Sequence, residues 1–162
     1  MHLLVRETRG LDEAEEAVDL GQSRDVRLGG KDWDDRIVKY AVDLFKEQHN
    51  VDPLEDYYTA QELILSAEEA KKDLSQSQST EFPVNHEGKR VIVQLTREKF
   101  EELTSDLLFR TESRLHKAVE SAGLEFSDIS KFLLVGGSTR MPQVRNMVER
   151  VTGIEPDGSL SV

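Results

Sequence analysis

Between Lys131 and Pro142 the chain reads KFLLVGGSTRMP. Phe132, Leu133, Leu134 and Val135 form a continuous apolar run. Two glycines follow, then Ser138, Thr139, Arg140 and a proline suited to the first turn of a helix. A run apolar on both faces predicts a buried strand, typically of a parallel sheet covered by helices. Glycine at the carboxyl end of such a strand lets a ligand come close to the main chain. The helix start beyond it offers unpaired N–H groups and a positive dipole end to an anion, and in open α/β sheets this edge is where ligands bind. The plain alternative is a tight turn joining a strand to a helix, and two adjacent glycines do not choose between the two.

Charge narrows the ligand classes. The 162 residues carry 21 Lys+Arg against 32 Asp+Glu, a formal charge of −11. This argues against nucleic acid or an anionic membrane surface as a general partner. A phosphate ligand must then be held locally, by main-chain groups and a few cations. With 37% hydrophobic and 33% charged residues, the length predicts one domain, or one domain with an inserted lobe. The absence of cysteine excludes disulfides and thiolate metal sites and fits a reducing, cytoplasmic setting. No apolar run approaches membrane-spanning length. Residues 1–10 carry Arg6, Glu7 and Arg9 and lack the apolar centre of a signal peptide. His2, His49, His86 and His116 share no ligand spacing, so no metal site is placed. No HExxH, nucleophile-elbow or GxxxxGKS/T pattern occurs, and no catalytic residue is assigned.

Taken in order, 2–5 and 17–20 read as two strands of a hairpin with an acidic turn at 12–16. Gly29-Gly30 is a second paired-glycine site. A helix is expected from about Lys31 to His49, with Trp33, Ile37, Ala41, Leu44 and Phe45 on one face. Asp32, Asp34 and Asp35 fall in its first turn, where carboxylates suit the dipole, a cheaper reading than a metal or phosphoryl-transfer cluster. Pro53 is expected to open a second helix reaching about Ser75, buried along Ala60, Leu63, Ile64, Ala67, Ala70 and Leu74. Glu68, Lys71, Lys72 and Ser75, at i, i+3, i+4 and i+7, line a second stripe beside it. Its plain reading is a solvated flank with a Glu68–Lys72 ion pair.

Strands at 80–85 and 90–95 form a hairpin turning through His86, Glu87, Gly88 and Lys89. Thr96 caps a single long helix to about Ala122, with Phe100, Leu103, Leu107, Leu115, Ala118 and Ala122 facing inward and Gly123 closing it. A short cap-like segment spans 127–130. The last helix runs from Pro142 to about Thr152. The tail, 153–162, shows no core partner.

The order of these motifs is more specific than any one of them. LGGKDWDDR, EEAKKDLS, TREKFEEL and LLVGGSTRMPQV, nearly collinear over about residues 22–155, resemble the DnaK-type seventy-kilodalton heat-shock chaperone family. The resemblance is to the second lobe of that family's ATPase domain. It implies an α/β fold (α+β mixed), a partial actin-like ATPase lobe with an inserted helical subdomain carrying a β-hairpin. Residues 1–28 and 106–162 would be part of the inner subdomain, and 29–105 the outer one. Val26, Arg27 and Trp33 depart from the commonest family forms, as in a divergent bacterial member.

The resemblance also implies ATP or ADP as ligand, with Mg²⁺ bound only in an intact parent. Gly136, Gly137 and Ser138 would border the adenosine and its first phosphate. Arg140 would lie on one face of the adenine and Lys72 on the other. Glu68 and Lys71 would hold the ribose hydroxyls, Ser75 the ring edge, and Gly30 would contact the nucleotide from across the cleft. Lys72 stands where many members have arginine, and an ammonium stacks less well than a planar guanidinium. The family's phosphate loops, lysine and paired aspartates do not occur in these residues. The chain by itself is therefore expected not to hydrolyse ATP, since phosphoryl transfer depends on positioning and electrostatics. A parent would work with a nucleotide-exchange factor on the outer subdomain, a J-domain co-chaperone, and unfolded clients held by a further domain. The alternative is a non-enzymatic acidic interaction module that has lost nucleotide binding.

Overall fold

The computed structural model describes residues 2–7, 17–19, 29–135 and 137–157. In chain order the elements are β1 (His2–Glu7), β2 (Ala17–Asp19), α1 (Gly30–His49), a 3-10 turn (Pro53–Glu55), α2 (Tyr57–Gln76), β3 (Ser79–His86), β4 (Lys89–Thr96), α3 (Arg97–Leu103), α4 (Ser105–Ser121), a 3-10 turn (Phe126–Asp128), β5 (Ile129–Val135), a 3-10 turn (Gly137–Arg140) and α5 (Pro142–Thr152). Helices and strands are thus mixed. They form two compact units, one of residues 31–105 and one of residues 1–30 with 106–162. The acidic turn at 12–16, Val26, Arg27, Gly136 and residues 158–162 lie outside the described residues.

In the unit of residues 31–105, α1 buries Trp33, Ile37, Ala41, Val42 and Phe45, and α2 buries Leu63, Ala67, Ala70 and Leu74. The hairpin pairs β3 with β4 antiparallel, Phe82 opposite Val93 and Val84 opposite Val91. Strict alternation puts Phe82, Val84, Val91, Val93 and Leu95 in the core and leaves Glu81, Pro83, Arg90 and Ile92 exposed. Glu87 and Gly88 form the turn with φ of 49° and 71°, left-handed at both positions as a two-residue turn matched to strand twist requires. Phe100 of α3 is fully buried, its ring 6.1 Å from Trp33. Arg97 Nε donates to Leu74 O at 2.8 Å, so the start of α3 satisfies a carbonyl in the last turn of α2.

The single helix expected between Thr96 and Ala122 is two. Thr96 does cap α3, accepting from Lys99 N at 3.1 Å. The chain then breaks at Thr104, a fully buried residue with φ −114° and ψ 9°. A buried hydroxyl needs a partner, and Thr104 Oγ1 donates to Phe100 O at 2.7 Å, one turn back. Such back-bonding bends or interrupts helices. The break resets the inward face, which in α4 is Leu107, Thr111, Leu115 and Val119, with Ala118 half-buried and Ala122 exposed. Gly123, at φ 70°, ends the helix as expected, and Leu124 N donates to Val119 O at 3.2 Å.

In the other unit β5 pairs antiparallel with β1, and β1 antiparallel with β2, in the order β2-β1-β5. The apolar run is thus a strand with Phe132 and Leu134 buried and Leu133 half-buried; β1 runs antiparallel to it, while the isolated bridge between Leu133 and Asp157 on its other edge is parallel. Phe132 and Leu134 face a core with Leu115, Val119, Ile129, Met147 and Val148. The tail also departs from expectation. Asp157 N donates to Phe132 O at 2.8 Å and Leu134 N donates to Asp157 O at 3.0 Å, while Lys131 pairs with the Asp157 carboxylate at 2.7 Å. The chain after α5 therefore pairs with β5, because an open strand edge leaves main-chain groups to satisfy.

Two substitutions test this packing. Phe100→Ala should lower the free energy of urea unfolding by about 3–5 kcal/mol, read from the fluorescence of Trp33. Gly88→Ala, which puts a side chain at positive φ, should cost about 1–2 kcal/mol without altering the helical circular dichroism.

Candidate functional site

Helix α2 carries most of the residues the sequence singles out. Its start is set by Asp56, whose carboxylate accepts Thr59 N at 2.7 Å and Thr59 Oγ1 at 2.9 Å. The backbone bond, then the hydroxyl bond, hold that carboxyl below its ordinary pKa. Pro53 opens a separate 3-10 turn rather than the helix. The buried face of α2 is Thr59, Leu63, Ala67, Ala70, Lys71 and Leu74. Ile64 is exposed and Ala60 only half-buried, because the stripe follows Leu63 in steps of three and four and Ile64 lies about 100° further round.

Lys71 belongs to that buried face. It is 7% exposed, and its ammonium meets Asp34 Oδ1 of α1 at 2.6 Å. Asp34 is itself 9% exposed. Burial raises the Asp34 pKa, the largest influence on it. The hydrogen bond and charge of Lys71 pull it down, and Glu68 and Asp35 push it up slightly. The folded state therefore keeps the Asp34 proton where the unfolded chain has released it. Stability from this group falls as pH rises from the ordinary aspartate range through the raised value.

Glu68, Lys72 and Ser75 form the outer row. Lys72 Nζ lies 2.7 Å from Glu68 Oε1, the i,i+4 pair expected, with both side chains well exposed. Lys72 holds the Glu68 carboxyl below its usual pKa, and Glu68 holds the Lys72 ammonium above its own. Ser75 Oγ donates to Lys72 O at 2.6 Å, which leaves the hydroxyl oxygen able to accept.

Gly137, Ser138 and Arg140 lie together in the 3-10 turn between β5 and α5. Thr139 and Met141 are buried and Arg140 between them is exposed, so the two neighbours anchor the turn while the guanidinium faces outward. Pro142 opens α5 as expected. Gly30 is the first residue of α1, one turn ahead of Asp34.

Taken separately, the α2 row offers a carboxylate, an ammonium and a hydroxyl, and the turn at Gly137–Arg140 offers main chain and a guanidinium. A planar cation can stack on an aromatic base, and a carboxylate accepts from ribose hydroxyls while an ammonium donates to them. A glycine-containing turn admits close approach of a phosphate. The donors and acceptors on α2 by themselves are of the kinds that pair with ribose hydroxyls and a base edge. Among the described residues no group of three or more His, Asp or Glu side chains is placed to hold a metal ion, and Mg²⁺ is assigned no residue here. Asp34 was not legible as the partner of Lys71 from its motif, where it reads as one of three helix-start carboxylates. Its spacing carried the signal: it lies three residues before Ile37 and seven before Ala41, on the buried face.

Comparison with known proteins places these residues in context. The family model described as Hsp70 protein matches residues 19–161. The chain is 40% identical over 147 residues to the chaperone protein DnaK of Deinococcus proteolyticus, covering 86% of this chain and 23% of that protein. It is 40% identical over 148 residues to the chloroplastic heat shock 70 kDa protein 7 of Arabidopsis thaliana, covering 88% of this chain and 21% of that one. The chain thus spans less than a quarter of the length of either relative.

The two lysines of the motif should respond differently to the same change. Lys71→Met strands the Asp34 carboxyl in the interior and should cost about 3 kcal/mol, the lower end for breaking a buried pair, with part recovered on adding Asp34→Asn. Lys72→Met should leave the urea midpoint at neutral pH nearly unchanged, because that pair is exposed and screened. Its mark is on pH. The Glu68 contribution is present above the ordinary glutamate pKa and lost as pH falls through the lowered one. NMR titration of Lys72→Met should therefore show Glu68 protonating at higher pH than in the unaltered chain.

Proposed function

The chain belongs to the Hsp70 protein family, and on that premise we propose that it is the part of an ATP-driven protein-folding chaperone that holds the adenosine of the nucleotide. The observation that carries this reading is the row on α2. Glu68 and Lys72 stand exposed and paired at 2.7 Å with Ser75 one turn on, the mixture of acceptor, cation and hydroxyl that a ribose and a base edge require. Arg140 supplies an exposed guanidinium for the adenine face, and Gly136, Gly137 and Ser138 the main chain beside the first phosphate. Gly30 contacts the nucleotide from the start of α1, and Lys71 reaches the ribose from the buried flank of α2.

In this proposal residues 1–28 and 106–162 are part of the inner subdomain, and residues 29–105 the outer subdomain, of one actin-like lobe. ADP leaves when the outer subdomain rotates. A nucleotide-exchange factor acting on the outer subdomain promotes that step, and a J-domain co-chaperone and unfolded polypeptide clients act on the intact protein. ATP and ADP are the ligands, and Mg²⁺ binds in the intact protein.

Calorimetry with ADP and the whole chain tests the site. The unaltered chain should bind, and Arg140→Ala should weaken binding roughly two- to thirtyfold, as expected for a cation–π contact of about 0.5–2 kcal/mol. Lys72→Arg should tighten it, since guanidinium stacks better than ammonium. Equal affinities for the unaltered chain and Arg140→Ala would remove Arg140 from the site.

A further inference from the structure

The Lys71–Asp34 pair is the least expected feature of α2. A lysine on the buried face of a helix is costly unless an acidic partner meets it. Here that partner comes from another helix, one turn into α1. The carboxylate is buried at the point of contact, and burial works against its ionisation. A position where charge is disfavoured but kept calls for an explanation beyond stability, because an apolar pair of similar volume often serves the core as well.

We propose that Asp34 is a positioning residue for nucleotide binding, fixing the Lys71 ammonium where it meets the ribose hydroxyls. This rests on the adenosine reading above. Two placements argue for it. Lys71 lies between Glu68 and Ser75 in the sequence of α2, on the buried flank beside the exposed row, with its ammonium 2.6 Å from Asp34 Oδ1. Asp34 lies four residues after Gly30 on α1, the same face one helical turn on. The pair therefore ties the Lys71 side chain to the helix whose first residue is another proposed nucleotide contact. A lysine has four rotatable carbons and a compact charge. Anchoring it before the ligand arrives removes ordering that binding would otherwise have to supply.

Four forms of the whole chain decide the matter: unaltered, Asp34→Asn, Lys71→Met and the double variant, each checked for folding by circular dichroism and titrated with ADP by calorimetry. Asp34→Asn keeps the shape and removes the charge. It should weaken ADP about tenfold, the scale of one charged hydrogen bond, and Lys71→Met by a similar factor. The double variant should bind no more weakly than Lys71→Met alone, because Asp34 acts through Lys71. A further loss of affinity in the double variant would mean that Asp34 acts on ADP other than through Lys71, and that result overturns the proposal. If Asp34→Asn alone fails to fold, the double variant against Lys71→Met decides on the same terms. Unchanged affinity in a folded Asp34→Asn overturns the proposal alone, whereas no ADP binding by the unaltered chain overturns the adenosine reading and the proposal together.

Discussion

A buried ammonium must be answered by a carboxylate, and in the unit of residues 31–105 that requirement sets how its first two helices meet. Lys71 is placed on the inner face of α2 by its spacing from Ala67 and Leu74, and Asp34 on the inner face of α1 by its spacing from Ile37 and Ala41. Their 2.6 Å contact is directional in a way that Leu63 or Phe45 packing is not. Apolar side chains tolerate small shifts along a helix. A displaced ion pair leaves a charge in the interior. The pair is therefore more sensitive to a shift of one helix along the other than the apolar stripes are.

Elsewhere the same rule operates with neutral groups. Thr104 hides a hydroxyl that finds the Phe100 carbonyl, and the helix divides there. The Leu74 carbonyl, in the last turn of α2, receives Arg97 from α3. The second edge of β5 receives the main chain of Asp157. In each case a polar group that a simple pattern of apolar residues leaves unpaired has drawn another part of the chain to it. These contacts fix where elements stop and how the chain continues beyond them.

Much of the fold was legible because apolar periodicity and local capping act within a few residues. α1, the hairpin of β3 and β4, the Thr96 cap, the Gly123 stop and the span of α5 depend on neighbours in sequence. So does the Glu68–Lys72 pair, whose partners are one turn apart. What was not legible depends on distant partners. The antiparallel setting of β5 depends on β1, more than a hundred residues earlier in the chain. The burial of Lys71 depends on Asp34, and the break at Thr104 on the hydroxyl being enclosed by the core.

The division for the candidate site is similar. The sequence by itself determined the chemical kinds present, a carboxylate, two ammonium groups and a hydroxyl on one helix and an arginine after paired glycines, and the family whose motif order they share. Only the tertiary structure decided which partner each of the two lysines meets. Residues 71 and 72 are adjacent, and a helix turns adjacent side chains about 100° apart. Their roles then part according to what packs against each. Lys72 looks outward to Glu68, and Lys71 inward to a carboxylate that the sequence alone counted only as helix-start charge.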